Sequence, residues 1–283
     1  MKRLLITVLL VAGMAAPAVP VSADGPTSVV SCLGDSITEG IPYSGTENTY
    51  PARLQVMLDS AHGVGSFEVI NHGVGGWRAD QVRDHTQGWM EQDNPDYVLL
   101  LVGGNDLAQL QSIESTVAEV QAIVDVVTAH TNPDDSHPRI IVSAILPNLI
   151  SEAATWWVSV YNDSLASDLT GVDLWFTDNW DDFYDPATGQ AKASLMADPV
   201  HPNVEGYILV AENWFQVLDP PCDLPGDLNC DCIVDVNDIM LVAGRWHTAE
   251  GDLDYDPAYD LDSNSVIDIV DIMLVAAHWG ETC

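Results

Sequence analysis

The sequence predicts an α/β fold: a doubly wound, three-layer α/β/α sandwich on a five-stranded parallel sheet, followed by a small α-helical module built on two repeated acidic loops. Three observations carry this. Short apolar runs alternate with stretches of helical periodicity from residue 29 to residue 218. The apolar runs are nearly continuous, which is how strands read when helices cover both faces of a parallel sheet. At Asp219-Pro220-Pro221 two prolines stop the preceding helix, and beyond them an acidic pattern repeats.

Residues 29–33 form the first strand, which ends in Gly34-Asp35-Ser36. Pro51 opens a helix, since proline suits the first turn, and Leu54, Met57, Leu58 and Ala61 recur at helical spacing. Residues 67–70 are a short strand ending in Asn71-His72-Gly73-Val74-Gly75-Gly76. Residues 79–90 read as helix, and 97–102 as an apolar strand ending in Gly103-Gly104-Asn105-Asp106. Ser112 opens a long helix with Ile113, Val117, Val120, Ile123, Val124 and Val127 along one side. Residues 140–145 are a strand, 153–169 a helix, 174–176 a short strand and 204–218 the closing helix, with the loop Asp198-Pro199-Val200-His201-Pro202 before it. This succession suits a flavodoxin-like sandwich.

Composition narrows the partners. The 283 residues allow one large or two smaller domains, and 47% hydrophobic residues can build a sizeable core. With 43 acidic against 8 basic residues the net charge is −35, which repels nucleic acid and anionic membrane surfaces. Lys2 and Arg3 precede an apolar run too short to span a bilayer comfortably, and Val21-Ser22-Ala23 supplies small residues for cleavage. Residues 1–23 therefore read as a secretory signal peptide, which places the protein outside the cell or in a periplasm, with no membrane insertion. The remaining chain divides into domains at 24–219 and 222–283.

Open α/β sheets gather their chemistry at the carboxyl ends of the strands. Four polar segments fall there: Ser36, Asn71 to Gly76, Asn105-Asp106 and Asp198 to His201. A serine nucleophile needs a base, which His201 can supply, and the base needs a carboxylate to fix its tautomer, which Asp198 can supply three residues earlier. The Ser36 N–H, the Gly73 N–H and the Asn105 side-chain amide are suitable donors for a tetrahedral oxyanion. Residue types alone leave alternatives: His72 as base, Asp35 or Asp106 as its orienter, or a metal site built from Asp35, His72, Asp198 and His201.

The four segments, in this order, resemble the sequence blocks of the SGNH hydrolase (GDSL esterase) superfamily over roughly residues 29–218. Gly34-Asp35-Ser36, Asn71 to Gly76, Gly103 to Asp106 and Asp198-Pro199-Val200-His201-Pro202 each match a block. The resemblance implies Ser36 as nucleophile, His201 as base and Asp198 as its orienter. It also implies an oxyanion hole of Ser36, Gly73 and Asn105, no catalytic cofactor, and ester hydrolysis through an acyl-serine intermediate.

The acidic tail repeats with an offset of 33 residues. Asp227, Asn229, Asp231, Ile233, Asp235 and Asp238 occupy positions 1, 3, 5, 7, 9 and 12 of one loop; Asp260, Asp262, Asn264, Val266, Asp268 and Asp271 occupy them in the next. Oxygen ligands at these positions, with a main-chain carbonyl at 7, are the calcium-loop pattern, so two Ca²⁺ ions are expected. Ile239, Val242, Ala243 and Trp246, and their counterparts Ile272, Val275, Ala276 and Trp279, predict one apolar face per following helix, packed repeat on repeat. The tail resembles a type I dockerin, which implies a cohesin-like or cell-surface partner. It departs from that pattern at loop position 6, where Cys232 and Ser265 replace glycine. It departs again at positions 10 and 11, which are Val236-Asn237 and Ile269-Val270. Of the tail cysteines Cys222, Cys230, Cys232 and Cys283, a Cys222–Cys283 pair would tie the module's ends together. Cys32 is expected as a buried free thiol.

The two resemblances together point to an acylated carbohydrate as substrate, with acetyl groups on a hemicellulose such as xylan first. Trp77, beside the glycine block, could stack on a sugar ring; Trp156, Trp157, Trp175 and Trp180 are expected in the core or on the surface. The alternatives are a broad-specificity lipid or aryl esterase and, in another class, a calcium-dependent binding or scaffold component with an accessory hydrolase domain.

Overall fold

A computed structural model of the chain describes residues 28–218, 224–229, 233–252 and 254–282. Residues 1–23, expected as a signal peptide, the boundary at 219–221, Asp231 and all four tail cysteines lie outside the described residues. The first domain runs β1 (Ser28–Gly34), α1 (Ser36–Glu39), α2 (Tyr50–His62), β2 (Phe67–Gly73), α3 (Ala79–Asp93), β3 (Tyr97–Leu101), α4 (Gly104–Ala108), α5 (Ile113–Ala129), β4 (Arg139–Ser143), α6 (Glu152–Asp168), β5 (Leu174–Phe176), α7 (Asp178–Asp181), β6 (Tyr184–Asp185), β7 (Gln190–Ala191) and α8 (Val204–Leu218).

The five long-range strands form one parallel sheet in the order β2-β1-β3-β4-β5. This is the flavodoxin-like order, whose switch point lies between β1 and β3. At that point the chain leaves β1 to one side and β3 to the other, so the loops after the two strands part and leave a crevice. Ser36 follows β1 and Asn105 follows β3.

Burial explains the apolar strands. Val98, Leu99 and Leu100 of β3 are fully buried, as are Val30, Cys32 and Leu33 of β1. α5 turns Val117, Val120, Ile123, Val124 and Val127 inward, the face its sequence marks out, and Ser112 caps it by accepting the Ser115 N–H. α8 buries Tyr207, Val210, Ala211 and Trp214. Burial pushes the Cys32 thiol up to about 12, so it is an inert core residue.

Two elements differ from expectation. β2 extends through Asn71, His72 and Gly73 instead of ending at residue 70, because Gly73 pairs in register with Gly34. The short antiparallel pair β6–β7 carries no long apolar run and was not predicted.

The tail forms its own small core of Val234, Val242, Ile267 and Val275. Its helices are α9 (Val236–Ala243) and α10 (Ile269–Ala276), each capped by the loop aspartate before it, Asp235 or Asp268. The repeats interlock reciprocally. His247 N–H donates to the Ile267 carbonyl and Ile267 N–H to the Thr248 carbonyl, while Val234 N–H donates to the Glu281 carbonyl and Gly280 N–H to the Val234 carbonyl. Trp246 and Trp279 do not join the packed face: both helices stop three residues earlier, which leaves the indoles 40% and 57% exposed.

Candidate active site

Ser36 sits at the first position of α1, directly after β1. The turn into that helix is tight. A β-carbon on Gly34 would lie 2.2 Å from Thr38 Oγ1 and 2.4 Å from the Leu101 carbonyl oxygen, so only glycine fits. Asp35 caps the helix by accepting the Ile37 N–H at 3.0 Å. The Ser36 N–H belongs to the first turn, where a helix offers no acceptor, and is left for a ligand.

His201 comes from the loop before α8. Its Nε2 is 3.0 Å from Ser36 Oγ and its Nδ1 is 2.7 Å from Asp198 Oδ2. With the proton on Nδ1, the ring donates to Asp198 and accepts the Ser36 hydroxyl. Asp198 is held in turn: its Oδ1 accepts the Val200 and His201 N–H groups at 2.9 Å each. Burial pushes the Asp198 carboxyl up, but the Val200 N–H, the imidazole and the His201 N–H outweigh it and hold the group below the usual carboxylate range. Asp198 is therefore ionised and can stabilise an imidazolium.

The competing assignments separate in space. His72 Nε2 lies 2.6 Å from Asp93 Oδ2, an oxygen that also accepts the Ser31 hydroxyl at 2.7 Å, so His72 belongs to a structural network under α3. Asp106 is buried and accepts the Ala79 N–H at 3.0 Å, tying the loop after β3 to the start of α3. Asp35 is buried at the α1 cap. Burial raises both Asp35 and Asp106 to about 6. The metal set of Asp35, His72, Asp198 and His201 is not assembled, because His72 is committed to Asp93 and His201 to Ser36 and Asp198.

Of the three expected oxyanion donors, the structure brings Ser36 and Asn105 to one cavity, and Gly73 stays in the sheet. Gly73 donates its N–H to Asn71 Oδ1 at 2.8 Å, and its α-carbon packs against the backbone of α1. The glycine that lines the cavity is Gly76. It sits third in a turn closed by the Trp77 N–H and the Val74 carbonyl, with φ +82°, and its own N–H has no partner among the described residues. Asn105 Nδ2 donates one hydrogen to the Trp77 carbonyl at 2.9 Å and keeps the other. The signal that could have found Gly76 is its place as the last glycine of the block, where the chain must turn after the strand.

A cavity of about 860 Å³ opens at Ser36, Gly76, Asn105 and His201. The rest of its lining is largely apolar: Leu107, Leu110, Ile113, Leu146, Trp157 and Val158 among others, from α4, α5, α6 and the loop after β4. Trp157 thus contributes to the site, against expectation. Trp77 does not line the cavity; it stacks with His85 and Trp89, at centroid distances of 4.6 and 6.3 Å.

A hydroxyl, an imidazole and a carboxylate in line, set at the switch point of a parallel sheet beside unpaired N–H donors, define the class of serine-centred hydrolases. The chain belongs to the GDSL-like lipase/acylhydrolase family, which its sequence matches over residues 32–209. No curated protein matches the sequence. Among solved structures, it is similar to a member of the lipolytic G-D-S-L family from Desulfitobacterium hafniense, at 22% identity and TM-score 0.54, over 67% of this chain and 99% of that one. It is also similar to a carbohydrate acetylesterase family member from Sinorhizobium meliloti, at 20% identity and TM-score 0.51, over 68% and 97% of the two chains. An aryl esterase from M. smegmatis matches at 14% identity and TM-score 0.51, over 68% and 98%. These likenesses concern the fold.

Proposed function

We propose that the protein is a secreted serine esterase that removes acyl groups from carbohydrate, with a C-terminal module that binds two Ca²⁺ ions. The observation that carries the esterase reading is the unbroken line from Asp198 through His201 to Ser36, at 2.7 and 3.0 Å, at the mouth of a cavity.

In this reading His201 takes the Ser36 proton as Oγ attacks the ester carbonyl. The oxyanion is received by the N–H groups of Ser36 and Gly76 and the free amide hydrogen of Asn105. His201 then protonates the leaving alcohol, and the acyl group remains on Ser36. Water, deprotonated by His201, attacks the acyl-serine and releases the acid.

The substrate class draws on the tail and on neighbours that include carbohydrate acetylesterases. Acetyl groups on a polysaccharide such as acetylxylan are the first candidate. A second reading, a larger acyl or aryl ester, is favoured by one observation: the apolar lining of a cavity far larger than an acetyl group. Acetate release from acetylated xylan, beside a p-nitrophenyl ester series, tests both. Turnover that persists in Ser36→Ala would refute the mechanism.

The calcium reading rests on the second loop. Carboxylate oxygens of Asp260, Asp262 and Asp271 lie within 4.8 Å of one another. Asp271 also orders the loop, accepting the Leu261, Asp262 and Asp268 N–H groups, and Asp238 does the same in the first loop for Leu228, Asn229 and Asp235. Ser265, where glycine is usual, adopts φ +69°, so the turn is made without it. Asp227, Asn229, Ile233 and Asp235 would serve with Asp238 in the first loop, and Asn264, Val266 and Asp268 in the second. The ions would neutralise these clustered carboxylates. A cohesin-like or cell-surface partner is supported by the exposed Val236 and Met240 and their repeat counterparts Ile269 and Met273.

A further inference from the structure

We propose that Glu39 is a positioning residue for the oxyanion hole, linking the helix that carries Ser36 to the loop that carries Gly76. The inference rests on the serine-esterase reading above and adds a residue to it.

Glu39 is the last residue of α1, three after the nucleophile. Its Oε2 accepts the Gly75 N–H at 2.6 Å, and its Oε1 accepts the Ser44 hydroxyl at 2.9 Å. The first is a short, charge-assisted bond between groups 36 residues apart in the chain, and such bonds are roughly twice as strong as neutral ones. The second fixes the carboxylate's orientation from the opposite side.

What this bond holds matters. Val74 N–H is the last ladder contact of its segment, donating to the Gly34 carbonyl at 3.2 Å. Gly75 N–H is then taken by Glu39, and the next residue, Gly76, lines the cavity with its N–H unpartnered among the described residues. Consecutive peptide planes share an α-carbon, so anchoring the Gly75 N–H sets the direction from which Gly76 presents its own. The space is close as well: a β-carbon on Gly75 would lie 2.8 Å from Glu39 Oε2 and 2.9 Å from Ile41 Cδ1. Asn105 grips the far side of the same turn through the Trp77 carbonyl. Glu39 and Asn105 thus clamp the Gly76 turn between them, and Glu39 reaches it from the nucleophile's own helix, so nucleophile and donor keep one spacing. Preorganised donors stabilise an oxyanion only when held at its position, and about 1 Å of misplacement can cost roughly 10²-fold.

The test compares Glu39→Ala, Glu39→Gln and Glu39→Asp in the full-length protein. The readouts are kcat and KM on a p-nitrophenyl ester and the affinity for an alkyl boronic acid, which forms a tetrahedral adduct on serine. Glu39→Ala is expected to lower kcat by about 10- to 100-fold with KM little changed, and to weaken boronate binding in parallel. Glu39→Gln keeps an acceptor oxygen and is expected to recover most of the rate; Glu39→Asp, one methylene short, is expected to lose it. Should Glu39→Ala fail to fold, the Gln and Asp pair carries the same contrast. Wild-type kcat and boronate affinity in folded Glu39→Ala or Glu39→Asp would overturn the proposal, as would a Glu39→Gln protein as slow as the others. Ser36→Ala in the same assay separates the two levels. Turnover surviving there overturns the esterase reading and Glu39 with it. Turnover lost there but intact in Glu39→Ala overturns Glu39 alone.

Discussion

On the second reading, with the acyl group lying along the apolar wall, lengthening the acyl group of a test ester should raise kcat/KM, and Trp157→Ala should blunt that rise. The cavity at Ser36 measures about 860 Å³, within the roughly 300–1,000 Å³ of sites that enclose whole small molecules. Its wall away from the polar donors is built from Leu107, Leu110, Ile113, Leu146, Trp157 and Val158. Each methylene buried there is worth about 0.8 kcal/mol. Going from acetyl to hexanoyl buries four, about 3 kcal/mol, or roughly 200-fold in kcat/KM at 1.36 kcal/mol per tenfold. Trp157 is 53% exposed, so only part of its indole faces the cavity and protein. Removing it should cost the hexanoyl ester about one methylene's worth, roughly fourfold, relative to the acetyl ester. Trp156 makes a T-shaped contact with Trp157 at 5.0 Å but does not line the cavity, so Trp156→Ala should leave the slope unchanged. The assay is kcat/KM for p-nitrophenyl esters from acetate to octanoate with wild type and both variants. A wild-type series that is flat, or that falls beyond acetate, would refute an acyl group lying along the apolar wall and leave the acetyl reading standing.

Other outcomes can be stated briefly. Asn105→Ala should lower kcat by roughly 10²–10³-fold with little change in KM, measured by steady-state kinetics; an unchanged kcat would remove Asn105 from the hole. Burial raises Asp35 to about 6 in the folded protein from an ordinary value near 3.8, so the folded state holds its proton more tightly. That contribution to stability is present below about pH 4 and lost as pH rises through about 6, at most about 3 kcal/mol. Asp35→Asn, which keeps an acceptor for the Ile37 N–H, should therefore raise Tm more at pH 8 than at pH 4; a pH-independent difference would contradict this. Calorimetric titration should find two calcium ions per chain and one in Asp260→Ala. Chelation should destabilise the tail while leaving hydrolysis of small esters intact.

The fold was legible because its core is made of long uninterrupted signals. The strand at Tyr97–Leu101 and the helix at Ile113–Ala129 each write their burial into consecutive or 3.6-spaced apolar residues. Ser36, His201 and Asp198 were legible for another reason: two of the three share a five-residue loop, and the third follows the end of a strand. What was not legible depends on packing between distant segments. Nothing in the sequence around Trp157 separates it from Trp156, yet neighbours on one helix face different surroundings, and only Trp157 meets the cavity. The place of Trp77 depends on packing in the same way. Its ring contacts are with His85 and Trp89 of α3, and it does not line the cavity.

The glycine block shows how far residue type falls short of role. Gly73, Gly75 and Gly76 sit within four positions, and each is glycine for a different reason. A β-carbon on Gly73 would lie 2.0 Å from the Glu39 backbone nitrogen, so that glycine lets α1 pack on β2. Gly75 makes room for the Glu39 carboxylate and the Ile41 side chain. Gly76 has open space where a side chain would go but holds φ +82°, a backbone demand and not a packing one. It follows that inactivity of a Gly73→Ala protein would not make Gly73 an oxyanion donor. The added methyl would push α1 off the sheet and carry Ser36 with it. The informative substitution is Gly76→D-Ala, introduced by semisynthesis, because a D-residue favours positive φ. Near-native kcat in Gly76→D-Ala, beside a large loss in Gly76→L-Ala, would tie turnover to the backbone conformation at Gly76; equal losses in both would break that link.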